Sequence, residues 1–474
     1  MSFFESFEFS LILVIIFLLG STFLIKKFIK TSKTFYIFSM IKTTRFNPIL
    51  EKFTFLGKFL DFMAYVGLIL GFGVFGADYL FARNQKSKLK RISIIVLCFF
   101  VLYFLFQFLL SPLFASNPST AQFSFWFPVV FGIFGLAGFT LFSLAVNAFD
   151  IILKIFLGKK ACPGVAPLIP GVQIPNVPIV VPFIAWIPLF LILIIHEGFH
   201  GIQARREKIK VKSTGLLLAG LFPIGAFVEP DENQLKHKSK LAQLRVFANG
   251  ATSNMFSIFA MLALALLLVP ILTPMQNELI SARINAVDSV IISDVSETTE
   301  FCGDTYSNSA FNNLEKGMQI RSVNSVPVHS IVEVQTQIAE VRQNNQELVL
   351  GVQSVSNELS EKKLTPNPLG RYGFSMEEKL NPGFVFSEDY FWKAAFLNAI
   401  YTIINWFVIL SLLIAIVNFL PMDPFDGGKM ARIIYLPYLS FLNLPPKQTE
   451  KFFQRFILWL VLVLFFLNAL PLFL

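Results

Sequence analysis

The chain alternates long apolar runs with short charged breaks. Runs long enough to cross roughly 30 Å of hydrocarbon recur at residues 9–25, 60–81, 92–113, 125–147, 182–204, 246–272, 396–420 and 453–473, eight candidate spans in all. Three stretches break the rhythm. Residues from about 280 to 385 are polar, with short alternating segments and turn residues, as in a water-exposed domain inserted between two spans. Residues 159–181 contain Pro163, Pro167, Pro170, Pro175 and Pro178, with Pro182 just beyond, and read as a loop pressed against the membrane. The apolar segment VKSTGLLLAGLFPIGAFVE at 211–229 is cut by Gly215, Gly220, Pro223 and Gly225, which predicts a re-entrant hairpin more than a span.

Composition agrees with this pattern. Of 474 residues, 55% are hydrophobic and 15% charged, and the mean hydropathy is +0.65, above the apolar share of an ordinary soluble domain. A polytopic α-helical membrane protein is expected, in the cell membrane or, for a eukaryotic chain, an endomembrane. The net charge of +9 sits mainly in short loops between spans, where lysine and arginine mark the cytoplasmic side. It gives no reason to expect a nucleic-acid partner. The first run follows Glu5 and Glu8 and precedes Lys26, Lys27 and Lys30, the reverse of a cleaved secretory signal, and reads as a permanent anchor.

Charge orients the second half. Arg205, Arg206, Lys208, Lys210, Lys236, Lys238, Lys240 and Arg245 mark one side, and Lys429, Arg432, Lys447 and Lys451 the same side. The span at 182–204 then runs inward, 246–272 outward, the polar insert lies outside, and 396–420 runs inward. The first half resists this logic: the loops at 26–58 and 83–91 are both basic although one apparent span separates them. Cys98, Cys162 and Cys302 form no CxxC pair and build neither a zinc knuckle nor a disulfide framework. Cys162 and Cys302 both fall on the outer side, which leaves one bridge open without favouring it.

The residues that carry chemistry begin with HEGFH at 196–200, at the cytoplasmic end of a wholly apolar helix. Histidines four apart share one helix face, so His196 and His200 can hold one metal ion, and Glu197 between them can reach an attacking water as general base. Ionisable groups at membrane depth are costly and usually functional. A catalytic zinc needs a third protein ligand. NFLPMDPFDGG at 418–428 ends another inward span on the same side and offers Asp426, with Asp423 as competitor.

Taken together, these residues resemble the site-2 protease family of intramembrane zinc metalloproteases, in its archaeal and eukaryotic-type branch. The likeness covers most of 165–435: PGVQIPN at 170–176, HEGFHGIQARRE, PIGAFVEPD at 223–231, QLRVFANGATSN at 243–254, then Asn418, Pro421 and the DGG turn. Ala251 stands where many relatives have proline, and Asp423 where many have proline too. The resemblance implies a single catalytic Zn²⁺ held by His196, His200 and Asp426, with Glu197 as base and Asn254, with Asn418 as second choice, as oxyanion donor. It also implies a re-entrant β-hairpin whose edge, at Gly225, Ala226 and Phe227, binds substrate by strand addition. In the polar insert, Ala310, Leu314, Lys316, Gly317, Ile320, Val323, Asn324, Pro327 and Val328 look like the core of a PDZ domain, with a helix near 330–342 and a strand at 347–353. Met318 and Ser325 replace its usual aspartate and glycine.

The expected organisation is an N-terminal membrane region at 1–160, a first protease segment at 161–279, an extracytoplasmic PDZ-like α/β domain at 280–385 and a second protease segment at 386–474. The implied partners are membrane lipid and transmembrane protein substrates already cut by another protease. A catalytically inactive scaffold or a transporter-like protein, its buried polar groups lining a pathway, is the alternative.

Overall fold

The computed structural model describes residues 7–29, 32–109, 125–174, 177, 179–344, 346–354 and 356–474. Glu5, Lys30, residues 110–113 of the third apolar run, Pro175, Asn176 and Pro178 lie outside the described residues. The first apolar run forms helix α1 (Phe7–Phe28). Two strands, β1 (Ser32–Phe35) and β2 (Phe38–Thr43), and a short α2 (Asn47–Lys52) follow where a basic loop was expected. Then come α3 (Gly57–Ala77), continued by a π-helical turn at Asp78–Ala82, α4 (Lys88–Leu109), α5 (Trp126–Phe156) and α6 (Trp186–Arg206). Strands β3 (Val211–Ala219) and β4 (Phe222–Pro230), a short α7 (Glu232–His237) and the long α8 (Lys240–Ala286) complete the first protease segment.

Among the described residues, seven helical segments are long and apolar enough to cross a membrane. Their outward faces expose apolar side chains such as Leu266 and Leu267, at 72% and 73%. Water would penalise such a surface, whereas lipid does not. The chain is therefore a multi-pass integral membrane protein. α8 has 47 residues, or about 70 Å at 1.5 Å per residue, more than twice the roughly 30 Å of a hydrocarbon core.

Two of the seven segments reverse direction at a glycine. Gly73 in α3 has φ 60° and ψ −137°, and Gly135 in α5 has φ 63° and ψ −156°, backbone positions that only glycine adopts readily. A straight helix would hold Tyr65 and Phe81 about 24 Å apart; their rings lie 6.3 Å apart. Phe127 and Phe142, on either side of Gly135, are 5.3 Å apart in the same way. The two reversals touch, since a Cβ on Gly73 would meet the Ile133 carbonyl and one on Gly135 the Leu70 carbonyl. This accounts for the charge pattern of the first half. The segment at 57–82 enters and returns, so the basic loops on either side of it share one face: Asp61 pairs with Arg206 and Arg245 there, and Tyr79 and Arg83 line a cavity beside Lys429 and Arg432.

The N-terminal region is packed into the rest of the fold. Leu68 and Phe72 of α3, Phe106 of α4 and Phe131 of α5 share one buried cluster with Leu244, Ala248 and Ala251 of α8 and with Phe419, Met430 and Ile457 further on. Burial of polar surface is also shared: Arg206 donates to the Gly57 carbonyl at 2.6 Å, and Arg245 to the Tyr65 hydroxyl at 2.6 Å. Strand β2 pairs with β3 from Phe38↔Ala219 to Thr43↔Thr214. The expected hairpin β3–β4 is thus one half of a four-stranded antiparallel sheet, ordered β1-β2-β3-β4, and β4 is the edge that faces α6.

The insert begins with β5 (Val287–Val295) and the β6 (Thr298–Phe301) to β7 (Asp304–Ser307) hairpin, then β8 (Gln319–Val323), β9 (Val326–Pro327), α9 (Ile331–Gln343), β10 (Leu348–Gln353), β11 (Leu359–Leu364) and β12 (Phe374–Leu380). Its main sheet runs β11-β10-β8-β5-β12. Ala310, Leu314, Ile320, Val323 and Val328 are buried in its own core with Val334 of α9, as their apolar pattern predicts. Ser330 and Glu333 form a reciprocal capping box that fixes where α9 starts. After the insert, α10 (Glu388–Asn418), α11 (Asp426–Tyr435) and α12 (Pro446–Ala469) close the fold.

Cys162 and Cys302 are disulfide-bonded across 140 residues, the bridge that the sequence left open without favouring. Two lone cysteines in distant segments carry no local signal for pairing; proximity comes from the fold. The bond ties the proline-rich loop to the β6–β7 turn, and Asp304 beside it pairs with Lys154 at 2.9 Å and Lys159 at 3.2 Å. Burial alone would raise the Asp304 carboxyl, but the two ammonium groups hold it below its ordinary value.

Candidate metal centre

His196 and His200 lie one helical turn apart on α6 and are both buried, at 6% and 9% exposure. Asp426 begins α11, 226 positions beyond His200, and is buried with them. Its Oδ2 is 2.8 Å from His200 Nε2 and 3.3 Å from His196 Nε2, and the two Nε2 atoms are 3.2 Å apart. Zinc bonded to nitrogen and oxygen at about 2.0–2.1 Å would space tetrahedral ligands by about 3.3 Å, so these three atoms can hold one such ion. His196, Glu197 and His200 form a potential metal-binding group among the described residues, and Asp426 Oδ2 lies within 3.3 Å of both imidazole Nε2 atoms. Asp423, the competing carboxylate, is about half exposed and pairs with Arg432 at 3.3 Å.

The far sides of both rings are held. His200 Nδ1 meets the Val246 carbonyl at 2.7 Å, and His196 Nδ1 meets the Asn254 side chain at 3.2 Å. Both partners come from α8, which runs antiparallel to α6. Gly250, between them, is where α8 meets the His200 ring: a Cβ there would fall 2.1 Å from Nε2. Gly250 and Asn254 are four apart, as His196 and His200 are, so one helix face supplies a gap for one imidazole and a polar side chain for the other. Lys429, one turn after Asp426, lies 3.5 Å from its Oδ1 and over the Phe247 ring at 5.1 Å.

Glu197 lies on the β4 side of α6, and its carboxylate accepts the Val228 backbone N–H at 2.8 Å. Of the remaining residues predicted for the site, Phe227 and Asn418 line a cavity of about 1320 Å³ together with His196, Glu197, His200 and Asp426. Asn418 also donates from Nδ2 to the Ile414 carbonyl of its own helix at 2.9 Å. Gly225 and Ala226 stand beside Phe227 on β4, opposite Leu217 and Leu216 of β3. Asn254 is fully buried behind His196 and is absent from the cavity lining.

The profile of peptidase family M50 matches residues 184–464, more than half of the chain and the whole stretch from α6 into α12. The chain belongs to peptidase family M50. M50 members of the site-2 type are intramembrane metalloproteases, and this chain carries a His–Glu–His group on an apolar helix, with both histidines buried and Glu197 partly so. The protein named "Uncharacterized protein MJ0971" of Methanocaldococcus jannaschii is 26% identical over 293 residues, 60% of this chain and 65% of that relative. The alignment thus spans just under two thirds of the relative's length.

Sequence reasoning missed Val246, Val228, Gly250 and Lys429. The first two act through backbone atoms, which carry no sequence signal. Gly250 had one, since the Gly-to-Asn spacing on α8 repeats the His-to-His spacing on α6. Lys429 had the i,i+3 step from Asp426.

Proposed function

We propose that this chain is a zinc metalloendopeptidase that cuts peptide bonds within or beside the transmembrane segments of other membrane proteins. The observation that carries the reading is the triangle of His196, His200 and Asp426 donor atoms, 2.8–3.3 Å on a side, buried among apolar helices with Glu197 next to a free strand edge. His196, His200 and Asp426 would hold one Zn²⁺, which lowers the pKa of water toward neutrality and polarises the scissile carbonyl.

Glu197 then takes the proton from the attacking water and returns it to the leaving amine, so hydrolysis needs no covalent intermediate. Asn418, which lines the cavity and keeps a second amide N–H, donates to the developing oxyanion.

A substrate helix must unwind before it is cut, and in lipid its freed backbone groups need partners. The β4 edge supplies them. Because backbone groups alternate along a strand, Ala226 shares the outward side on which Val228 meets Glu197, while Gly225 and Phe227 turn toward β3. A Cβ on Gly225 would only touch Leu217 at an ordinary 3.4 Å, so internal packing does not demand glycine there. Glycine there leaves the face of the strand open for close backbone approach. This reading makes the β3–β4 pair the re-entrant element and Gly225, Ala226 and Phe227 the substrate-binding segment.

The insert is a PDZ-like domain on the outer side, where its disulfide suits an oxidising compartment. There it limits entry to membrane substrates whose outer portion another protease has already removed. A cavity of about 570 Å³ between α9 and β12, lined by Ile338, Arg342, Arg371 and Phe374, is available for an extended chain. The enzyme works in the cell membrane, or in an endomembrane of a eukaryote, in contact with lipid.

The test is zinc content and cleavage of a single-pass membrane substrate by the purified chain. Wild type is expected to bind one zinc and cut. Glu197→Gln keeps zinc but loses activity by about 10²–10⁴, and Asp426→Asn loses both. Equal zinc in all three with no cleavage would favour an inactive scaffold.

A further inference from the structure

Asn254 lies outside the substrate cavity and is wholly buried, with 0% exposure. Its nearest functional neighbour is His196 Nδ1, 3.2 Å from Asn254 Nδ2, and its own Oδ1 is buried without a hydrogen-bond partner. A histidine that offers its Nε2 lone pair to a metal carries its proton on Nδ1. Nδ1–H and an amide NH₂ are both donors and cannot satisfy each other. Turning the amide about Cβ–Cγ resolves the conflict, because Oδ1 then accepts from Nδ1–H.

The second ligand is held in the same fashion, His200 Nδ1 donating to the Val246 carbonyl at 2.7 Å. α8 thus presents one acceptor to each imidazole, two turns apart, on either side of the gap at Gly250. We infer that Asn254 is a positioning residue of the metal centre, whose amide oxygen accepts the Nδ1 proton of His196 and fixes Nε2 toward the cation. It does not reach the reacting carbonyl, so the oxyanion role passes to groups that line the cavity. The inference rests on the metal-centre reading given above. Outer partners of this kind commonly set metal affinity by 10- to 100-fold.

The experiment measures zinc affinity of the full-length protein in detergent, by competition with a chromophoric chelator, for wild type, Asn254→Asp and Asn254→Leu. The visible absorption of each protein with cobalt(II) is recorded alongside. Asp keeps an acceptor and has no N–H, so its affinity is expected within about threefold of wild type with an unchanged cobalt spectrum. Leu keeps the volume without an acceptor, and its affinity is expected to fall by about 10- to 100-fold. Wild-type affinity in Asn254→Leu overturns the inference. So does a tenfold loss in Asn254→Asp, which decides the matter if the leucine variant does not fold. Failure of the wild-type chain to bind zinc or cobalt would instead remove the metal-centre reading itself.

Discussion

The carboxylate of Glu197 accepts the backbone N–H of Val228 at 2.8 Å, which fastens the candidate base to the free edge of the sheet. The same N–H belongs to the edge proposed to receive substrate. Orientation of the base and docking of substrate therefore share one strand.

Replacing Val228 with proline removes that N–H, and an edge strand tolerates the ring. A hydrogen bond to a charged group contributes about 1.5–3 kcal/mol. For Val228→Pro, kcat/KM for a membrane substrate is expected to fall by about tenfold to a hundredfold with zinc content unchanged. Val228→Ala keeps the N–H and should retain activity. Undiminished cleavage by the proline variant would mean that Glu197 needs no support from β4.

A methyl group at Gly250 would intrude on His200, with its Cβ 2.1 Å from Nε2. Overpacking of this kind costs about 1–3 kcal/mol, and here the imidazole is the part that must shift. Gly250→Ala is expected to weaken zinc binding by at least about tenfold, read by chelator competition. Gly198→Ala is the comparison, since a Cβ there meets nothing within 4 Å; it should leave zinc affinity within about twofold.

Asp304 anchors the insert to the end of α5 through Lys154 and Lys159. Its carboxyl is held below the ordinary value of 3.8, burial opposing and the two ammonium groups prevailing. A depressed acid stabilises the fold above its unfolded pKa and loses that contribution as pH falls through the folded one. Thermal unfolding of Asp304→Asn should therefore lie below wild type by a gap that is constant from about pH 8 to pH 5 and closes in more acidic solution. Lys154 keeps Asp150 at 3.2 Å, so the neutral-pH loss is expected to be about 1–2 kcal/mol, less than for a wholly unpaired buried charge. A gap that persists at pH 3 would show that the ion pairs are not its source.

The sequence by itself determined the membrane setting, the apolar helices, the β3–β4 hairpin and the HEGFH histidine pair on one helix face. Each is written in neighbouring residues: an apolar run, an apolar stretch cut by glycine and proline, or an i,i+4 step that places two imidazoles on one face. In the insert, a helix near 330–342 and a strand at 347–353 were legible through the likeness to a PDZ core, and they correspond to α9 and β10. Which aspartate meets the histidines was not, because Asp423 and Asp426 share one turn and only the path from α10 into α11 buries one and exposes the other. Nor were the reversals at Gly73 and Gly135, since a glycine adopting positive φ reads like any packing glycine in an apolar helix. The pairing of β2 with β3, the Cys162–Cys302 bond and the contacts that Val246 and Asn254 make behind the two imidazoles likewise join segments far apart in the chain. Local pattern fixes what each segment can become; contacts across tens to hundreds of residues decide which polar groups meet.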